Sequence, residues 1–288
     1  MYKGHRIGPE HFNKDQIKLY IVLIPLALFM FLPLEFIFVH AFKPMAELFA
    51  FPAKFYVVNP TWDNFRELMR SARTAGIPLS RYVLNSLFVT VIVVAGNILI
   101  STMAGFALSK MKFALHDTIW SLNQTALMFV ATAVAIPRYL IVSGLGITNT
   151  YWAHILPLLA APVTLFLIKQ FIDGVPDALL EAASIDGANA WTIYWRIILP
   201  LVRPAISTGM ILSFQQVWSY LESSNNYVNT DSMKTLAFYM NTLANSNNVV
   251  AGQGVAAAAS LIMFIPNLIL FIVVQKDVMN TMASSGIK

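Results

Sequence analysis

Of the 288 residues, 57 % are hydrophobic and only 11 % are charged, against about 25 % charged in a soluble domain. This excludes a soluble enzyme or binding module and marks an all-α integral membrane protein. Cysteine is absent, which excludes disulfides, thiolate metal sites and cysteine nucleophiles. The net charge of +5 comes from scattered basic residues, with no basic helix interleaved by aromatics, so it bears on membrane orientation and not on nucleic acid.

Taken in chain order, residues 1–18 carry Lys3, Arg6, Lys14 and Lys18 and read as a cytoplasmic segment. Six stretches then suffice to cross a bilayer, which takes roughly 20 apolar residues: 19–42, 83–108, 119–142, 151–168, 205–221 and 255–274. The first is too long for a signal-peptide core and has no small-residue cleavage site after it. The transmembrane domain runs over 19–279, and 280–288 forms a cytoplasmic tail. Six spans put both termini on one side. Lys110 and Lys112 then fall in a short inner loop, and Arg196 and Arg203 in a long one. The loop 43–81 is placed outside against its charge, for it holds Lys43, Lys54, Arg66, Arg70, Arg73 and Arg81. Within it Trp62, Phe65, Leu68 and Met69 recur at helical spacing beside the arginines, which predicts a short amphipathic helix. The Asn- and Ser-rich stretch 225–253 is a second outer loop.

The long inner loop, near 173–204, contains EAASIDGANAWTIYWRIILPLVRP from Glu181 onward. Pro176 suits a helix start and Asp177 the positive end of the helix dipole. Helix formers continue to Ile185, and Gly187 supplies the left-handed conformation that ends a helix. A second helical stretch follows, its end marked by Pro200 and Pro204. Ala182 and Ala183 allow close approach of a partner surface, and Glu181 offers a charge.

That pattern resembles the cytoplasmic loop by which an ABC importer permease engages its ATPase. Further stretches agree: AFKPMAELF, RYVLNSLFV, LIVSGLGITNTYWAHILPLL and the closing TMASSGIK. Together they are similar to the six-span subunit of the carbohydrate ABC importers, the group that includes the maltose transporter. The resemblance implies the type I importer permease fold, with six transmembrane helices and a cytoplasmic coupling helix in the bacterial inner membrane. It implies a second permease subunit, two ATPase subunits and an extracellular or periplasmic solute-binding protein as partners. It assigns ATPase coupling to Glu181, Ala182, Ala183, Asp186, Gly187, Leu199 and Pro200, and it implies that 284–288 can reach the ATPase interface. The chain departs from the family at VWSYLESSNN, where many members carry a Trp-Asn pair and a Leu-Trp-Pro stretch.

No phosphate-binding GxxxxGK[ST] motif and no HExxH occurs in the sequence. The chain therefore cannot hydrolyse ATP itself, and the resemblance implies no cofactor in this chain, with ATP and magnesium on the ATPase partner. His5, His11, His40, His116 and His154 are too scattered to suggest a metal site. Polar residues within spans are costly in lipid and should face the bundle or a wet path. Glu35 and Arg138 are the full charges, open to pairing with each other or to separate partners. Gln216 with Tyr220, and Gln215 with Trp218, lie on the fifth span at helical spacing and suit sugar hydroxyls and ring faces or, alternatively, interhelical hydrogen bonds. Asn123 and Gln124 are further pathway candidates. Ser101 and Gly105 have the spacing of close helix packing. The reading is a sugar importer permease working by alternating access. Its rivals are a permease for another solute, such as an amino acid or phosphate, and, from a different class, a membrane enzyme or a secondary transporter, the latter expected to show mid-membrane carboxylates and repeat symmetry.

Overall fold

The computed structural model describes residues 14–52, 54–74, 76–244 and 252–285. Lys3, Arg6 and the last three residues of the expected tail lie outside them. In chain order the helices are α1 (Lys14–Phe42), α2 (Met45–Leu48), α3 (Asp63–Thr74), α4 (Leu79–Lys110), α5 (His116–Met128), α6 (Ala135–Gly144), α7 (Trp152–Leu159) and α8 (Pro162–Asp173). There follow α9 (Asp177–Ile185), α10 (Ala190–Ile193), a π-helical segment (Tyr194–Ile198), α11 (Leu199–Leu201), α12 (Arg203–Trp218), α13 (Glu222–Asn226), α14 (Leu236–Ala244) and α15 (Gln253–Ser285). The chain divides into two compact units, residues 1–68 with 247–261 and residues 69–246 with 262–288.

In the first unit, α1 exposes its apolar side chains almost along its whole length, as a helix solvated by lipid would. The segment after it is tied down by polar contacts. Asn64 donates to the carbonyls of Ala41 (3.0 Å) and Lys43 (2.8 Å). Glu47 accepts from the backbone N–H groups of Val58 (3.0 Å) and Asn59 (2.7 Å), which hold its carboxyl below the usual range. Phe42, Trp62 and Phe65 form a ring cluster with centroids 5.0–5.3 Å apart. At Gly254 a Cβ would run into the Asn64 amide, so glycine is there for close approach. The expected amphipathic helix is α3, which runs from the first unit into the second at residue 69; it buries Leu68 and Ala72 and leaves Arg66, Arg70 and Arg73 exposed.

The second unit is organised by α4, which packs against α7, α8, α12 and α14. Its buried stripe is rich in small and polar residues, among them Ser86, Thr90, Asn97, Ser101 and Gly105. Membrane helices pack closely through such residues. A Cβ on Gly105 would meet Ile168 and Ile172 of α8 at 3.3 Å, and one on Gly209 of α12 would meet Thr164 Cγ2 at 2.8 Å.

Among the described residues, four helices are long and apolar enough to cross a membrane: Ile17–Phe42, Leu79–Lys110, Trp152–Asp173 and Gln253–Gln275. The pair Ala190–Leu201 and Arg203–Asn226, bent by 77°, makes a fifth if counted as one span. The continuous third span expected over 119–142 is instead two helices, α5 and α6, with a non-helical connection at 129–134. Alone they reach about 20 and 15 Å at 1.5 Å per residue, short of a bilayer core. Pro137 explains the restart. It has no N–H, so it is best placed in the first turn of a helix, and it is the third residue of α6. The fourth span is interrupted at Ala160 and Ala161 for a similar reason. Pro162 opens α8 and cannot donate to the Leu158 carbonyl; Asn97 approaches that carbonyl instead, at 3.5 Å.

Candidate functional site

The 173–204 segment folds as its residues dictate. Pro176 is extended and precedes α9, and Asp177 is the first helical residue, where a carboxylate favours the helix dipole. Ala188 N–H donates to Ala183 O (2.9 Å) and Gly187 N–H to Ser184 O (3.1 Å), with Gly187 at φ +84°. These are the two bonds of a Schellman motif, which requires the left-handed residue. Asn189 then caps the next helix, its side chain accepting from Thr192 N–H at 2.8 Å. The second helical stretch ends between Pro200 and Pro204, at Val202. There the chain bends by 77° into α12. Before it lies the π-helical segment, for Pro200 has no N–H to give and its ring crowds the preceding turn, which loosens the helical register.

Of the residues singled out in this segment, Glu181, Ala182, Asp186, Gly187 and Pro200 are exposed, while Ala183 and Leu199 are half-buried. Ile185, at the end of α9, is 86 % exposed. Beside α9 runs a groove of about 1090 Å³, lined by Lys110, Lys112, His116, Asp177, Glu181 and Ile193 among others. His116 lies just ahead of the expected third span. Its two ring nitrogens face the Asp117 carboxylate and the Leu108 carbonyl, both at 2.7 Å. The Asp117 bond, with that carbonyl, raises its pKa by favouring the imidazolium, which can donate to both.

A polar cluster joins α6 to the far end of α12. Arg138 Nη1 donates to Glu222 Oε2 (2.7 Å) and to the Tyr220 hydroxyl (3.0 Å). Tyr220 donates to Glu222 Oε2 at 3.0 Å, and Tyr227 donates to Glu222 Oε1. Burial and the Glu222 bond push the Tyr227 hydroxyl well up, so it remains a donor. Arg138 thus has its partner in Glu222. Nearby, His154 is buried against Ser223 Oγ (2.7 Å) and Met233 O (3.2 Å). Asn149, at φ +57°, accepts from Asn229 and Thr230 N–H at 3.1 and 2.9 Å.

The pathway candidates divide. Gln215, Gln216 and Gln124 are exposed. Trp218 is 2 % exposed and spends its indole N–H on Met263 O at 3.0 Å. Tyr220 belongs to the Arg138 cluster, and Asn123 is buried with its amide 3.4 Å from Pro162 O. Sequence reasoning missed Glu222, Tyr227 and the ion pair between Lys110 and Asp177. A carboxylate just beyond the end of a span, in the stretch that departs from the family pattern, was the available signal for Glu222. No group of three or more His, Asp or Glu side chains is placed to hold a metal ion among the described residues.

Residues 20–276 match the family described as binding-protein-dependent transport system inner membrane component. The chain is 29 % identical over 287 residues to the probable ABC transporter permease protein YurM of Bacillus subtilis, covering 96 % of this chain and 92 % of that protein. It is 29 % identical over 206 residues to the arabinooligosaccharides transport system permease protein AraQ of Halalkalibacterium halodurans, covering 71 % and 72 %. Identity to the sn-glycerol-3-phosphate transport system permease protein UgpE of Yersinia pestis is 26 % over 263 residues, covering 89 % and 92 %. Among solved structures, a chain of a bacterial ABC transporter involved in import of the acidic polysaccharide alginate superposes with a TM-score of 0.77 at 20 % identity, over 92 % of this chain and 98 % of that one.

Proposed function

The chain belongs to the family of binding-protein-dependent transport system inner membrane components, and we propose that it is the six-span permease subunit of an ATP-driven importer of sugars of oligosaccharide size. The observation that carries the coupling role is α9: a short helix exposed on most of its surface, closed by a left-handed Gly187 and flanked by a groove. A helix so poor in contacts within its own chain is suited to a partner's surface. On this reading α9 is the coupling helix, α5 and α6 together make the third span, and both termini are cytoplasmic.

The partners are then a second permease subunit, two ATPase subunits that hold ATP and magnesium, and a solute-binding protein on the outer face. This chain is non-catalytic. Closure of the ATPases pushes the 173–204 segment, the spans rock, and the pathway opens outward to receive solute; hydrolysis resets it. Gln215, Gln216 and Gln124 are the exposed amides available to solute hydroxyls. Trp218 and Tyr220 act by shaping the end of α12. A sugar cargo is supported by the similarity to AraQ, an arabinooligosaccharides transport system permease protein. The name of UgpE favours a second reading, a phosphorylated polyol. Co-expression with the cognate ATPase and partner permease tests the assignment. ATPase capture and hydrolysis stimulated by loaded binding protein are expected, and a chain that captures no ATPase is not a permease of this kind. Binding-protein thermal shift with oligosaccharides against glycerol phosphates decides the cargo class.

A further inference from the structure

Thr102, Phe106 and Lys110 stand at i, i+4 and i+8 on α4 and so share one face of that helix over about 12 Å. Each of them touches the 173–204 segment, and the contacts fall before and after the body of α9. Lys110 Nζ donates to Asp177 Oδ1 at 2.6 Å and to Val175 O at 2.7 Å, holding the residues that lead into α9. The lysine side chain is only 8 % exposed, so its charge depends on those acceptors. At the exit, the Tyr194 hydroxyl lies 2.7 Å from Thr102 Oγ1, and both residues are buried. Thr102 has one hydroxyl proton, which goes back to the carbonyl of Ile98 (2.7 Å) or Leu99 (3.0 Å). Tyr194 is therefore the donor in the cross-link. The Phe106 ring packs on Tyr194 with centroids 5.8 Å apart.

We infer that α4 grips the coupling segment on both sides of α9, and that Lys110 and Tyr194 are positioning residues through which a push on α9 becomes a displacement of the second span. This rests on the permease reading above. The physical ground is that α9 and the π-helical segment after it cannot shift together relative to α4 without stranding a nearly buried lysine and a buried tyrosine hydroxyl, both costly outcomes. Spans four and five follow the loop because they are its continuation. The second span is remote from it in sequence; it packs on α8 and α12, and these three side chains tie it to the loop directly.

The absence of cysteine allows clean labelling. Nitroxides at Leu84→Cys, on α4, and Ile185→Cys, on α9, are both at exposed positions. Their distance distribution in nanodiscs is expected to be narrow in the otherwise wild-type chain, broad in Lys110→Met, and narrow again in Lys110→Arg. Tyr194→Phe, which keeps the ring and loses the hydroxyl, should broaden it to a smaller degree and serves if Lys110→Met does not fold. In the assembled transporter, Lys110→Met is expected to capture the ATPase normally yet move less solute per ATP hydrolysed. Unchanged distances in Lys110→Met and Tyr194→Phe overturn the inference. So does loss of ATPase capture with distances unaltered, which would make Lys110 a docking residue. Failure of the wild-type chain to capture any ATPase refutes the permease reading instead, while the distance measurement still decides the grip.

Discussion

Replacing Arg138 by Met removes the cation from a cluster in which Arg138 is 26 % and Glu222 17 % exposed at the side chain. Breaking one side of a buried ion pair costs about 3–5 kcal/mol, because the other charge is stranded. Here the loss should be smaller. Tyr227 still donates to Glu222 Oε1 and Tyr220 to Oε2, so each carboxylate oxygen keeps a donor. With bonds to a charged group at about 1.5–3 kcal/mol each, a net loss of about 2–3 kcal/mol is expected. The guanidinium uses a single nitrogen, Nη1, for both of its contacts and not a two-pronged fork. An ammonium in its place is thus adequate in kind, and Arg138→Lys should lose about 1 kcal/mol. Glu222→Gln alone strands the arginine. The double variant Arg138→Met with Glu222→Gln leaves no buried charge and should recover a coupling energy of about 2 kcal/mol. Equilibrium unfolding in mixed micelles, followed by the fluorescence of the six tryptophans, gives all four corners of the cycle. Single losses that simply add, or a loss in Arg138→Met below about 0.5 kcal/mol, the range of an ordinary surface substitution, would refute the claim that this pair holds α6 to the end of α12.

At Gly187 a Cβ would meet nothing within 4 Å, so Gly187→Ala should cost only the backbone term of about 1–2 kcal/mol, and Gly187→Val more; graded loss of ATPase capture checks this, and equal behaviour of the two variants rules out positive φ as the cause. A cysteine at Asn189, which is exposed, should react with an impermeant thiol reagent only after the inner face is opened, and labelling of intact cells would reverse the topology. Replacing the exposed Arg66, Arg70 and Arg73 by Gln should weaken uptake and its salt dependence if they attract an acidic binding protein or an acidic sugar across a Debye length of about 8–10 Å; unchanged uptake removes that role. His116 has a raised pKa, so its contribution is fully present below about pH 6.5, the unfolded value, and is lost as pH rises through the folded one; a fluorophore at Lys112→Cys should gain mobility over that rise, and the same label in His116→Ala should show no such transition.

What the sequence made legible follows from the range of the forces involved. Gly187 and Asp177 could be read in advance because a helix end is decided within a few residues, and both stand where the local rules place them. The first, second and last spans were readable for a related reason, since an unbroken apolar run has few options in a membrane. The third span shows the limit. Apolar composition over 119–142 is the same whether the helix is continuous or broken, and only Pro137 distinguishes the two. Arg138 was recognised as a charge needing a partner, but Glu222 is 84 residues away, and no periodicity links them. Trp218 shows the same limit from the other side. Its side-chain chemistry suits a sugar face, yet its N–H is committed to Met263 O, 45 residues on. Lys110 was read only as a marker of membrane side, because its role depends on where α9 begins in space. In a membrane bundle the backbone satisfies itself locally, so local signals report helices well; the side chains that join helices to one another are set by long-range packing, and those are the ones on which transmission of a push from α9 to α4 depends.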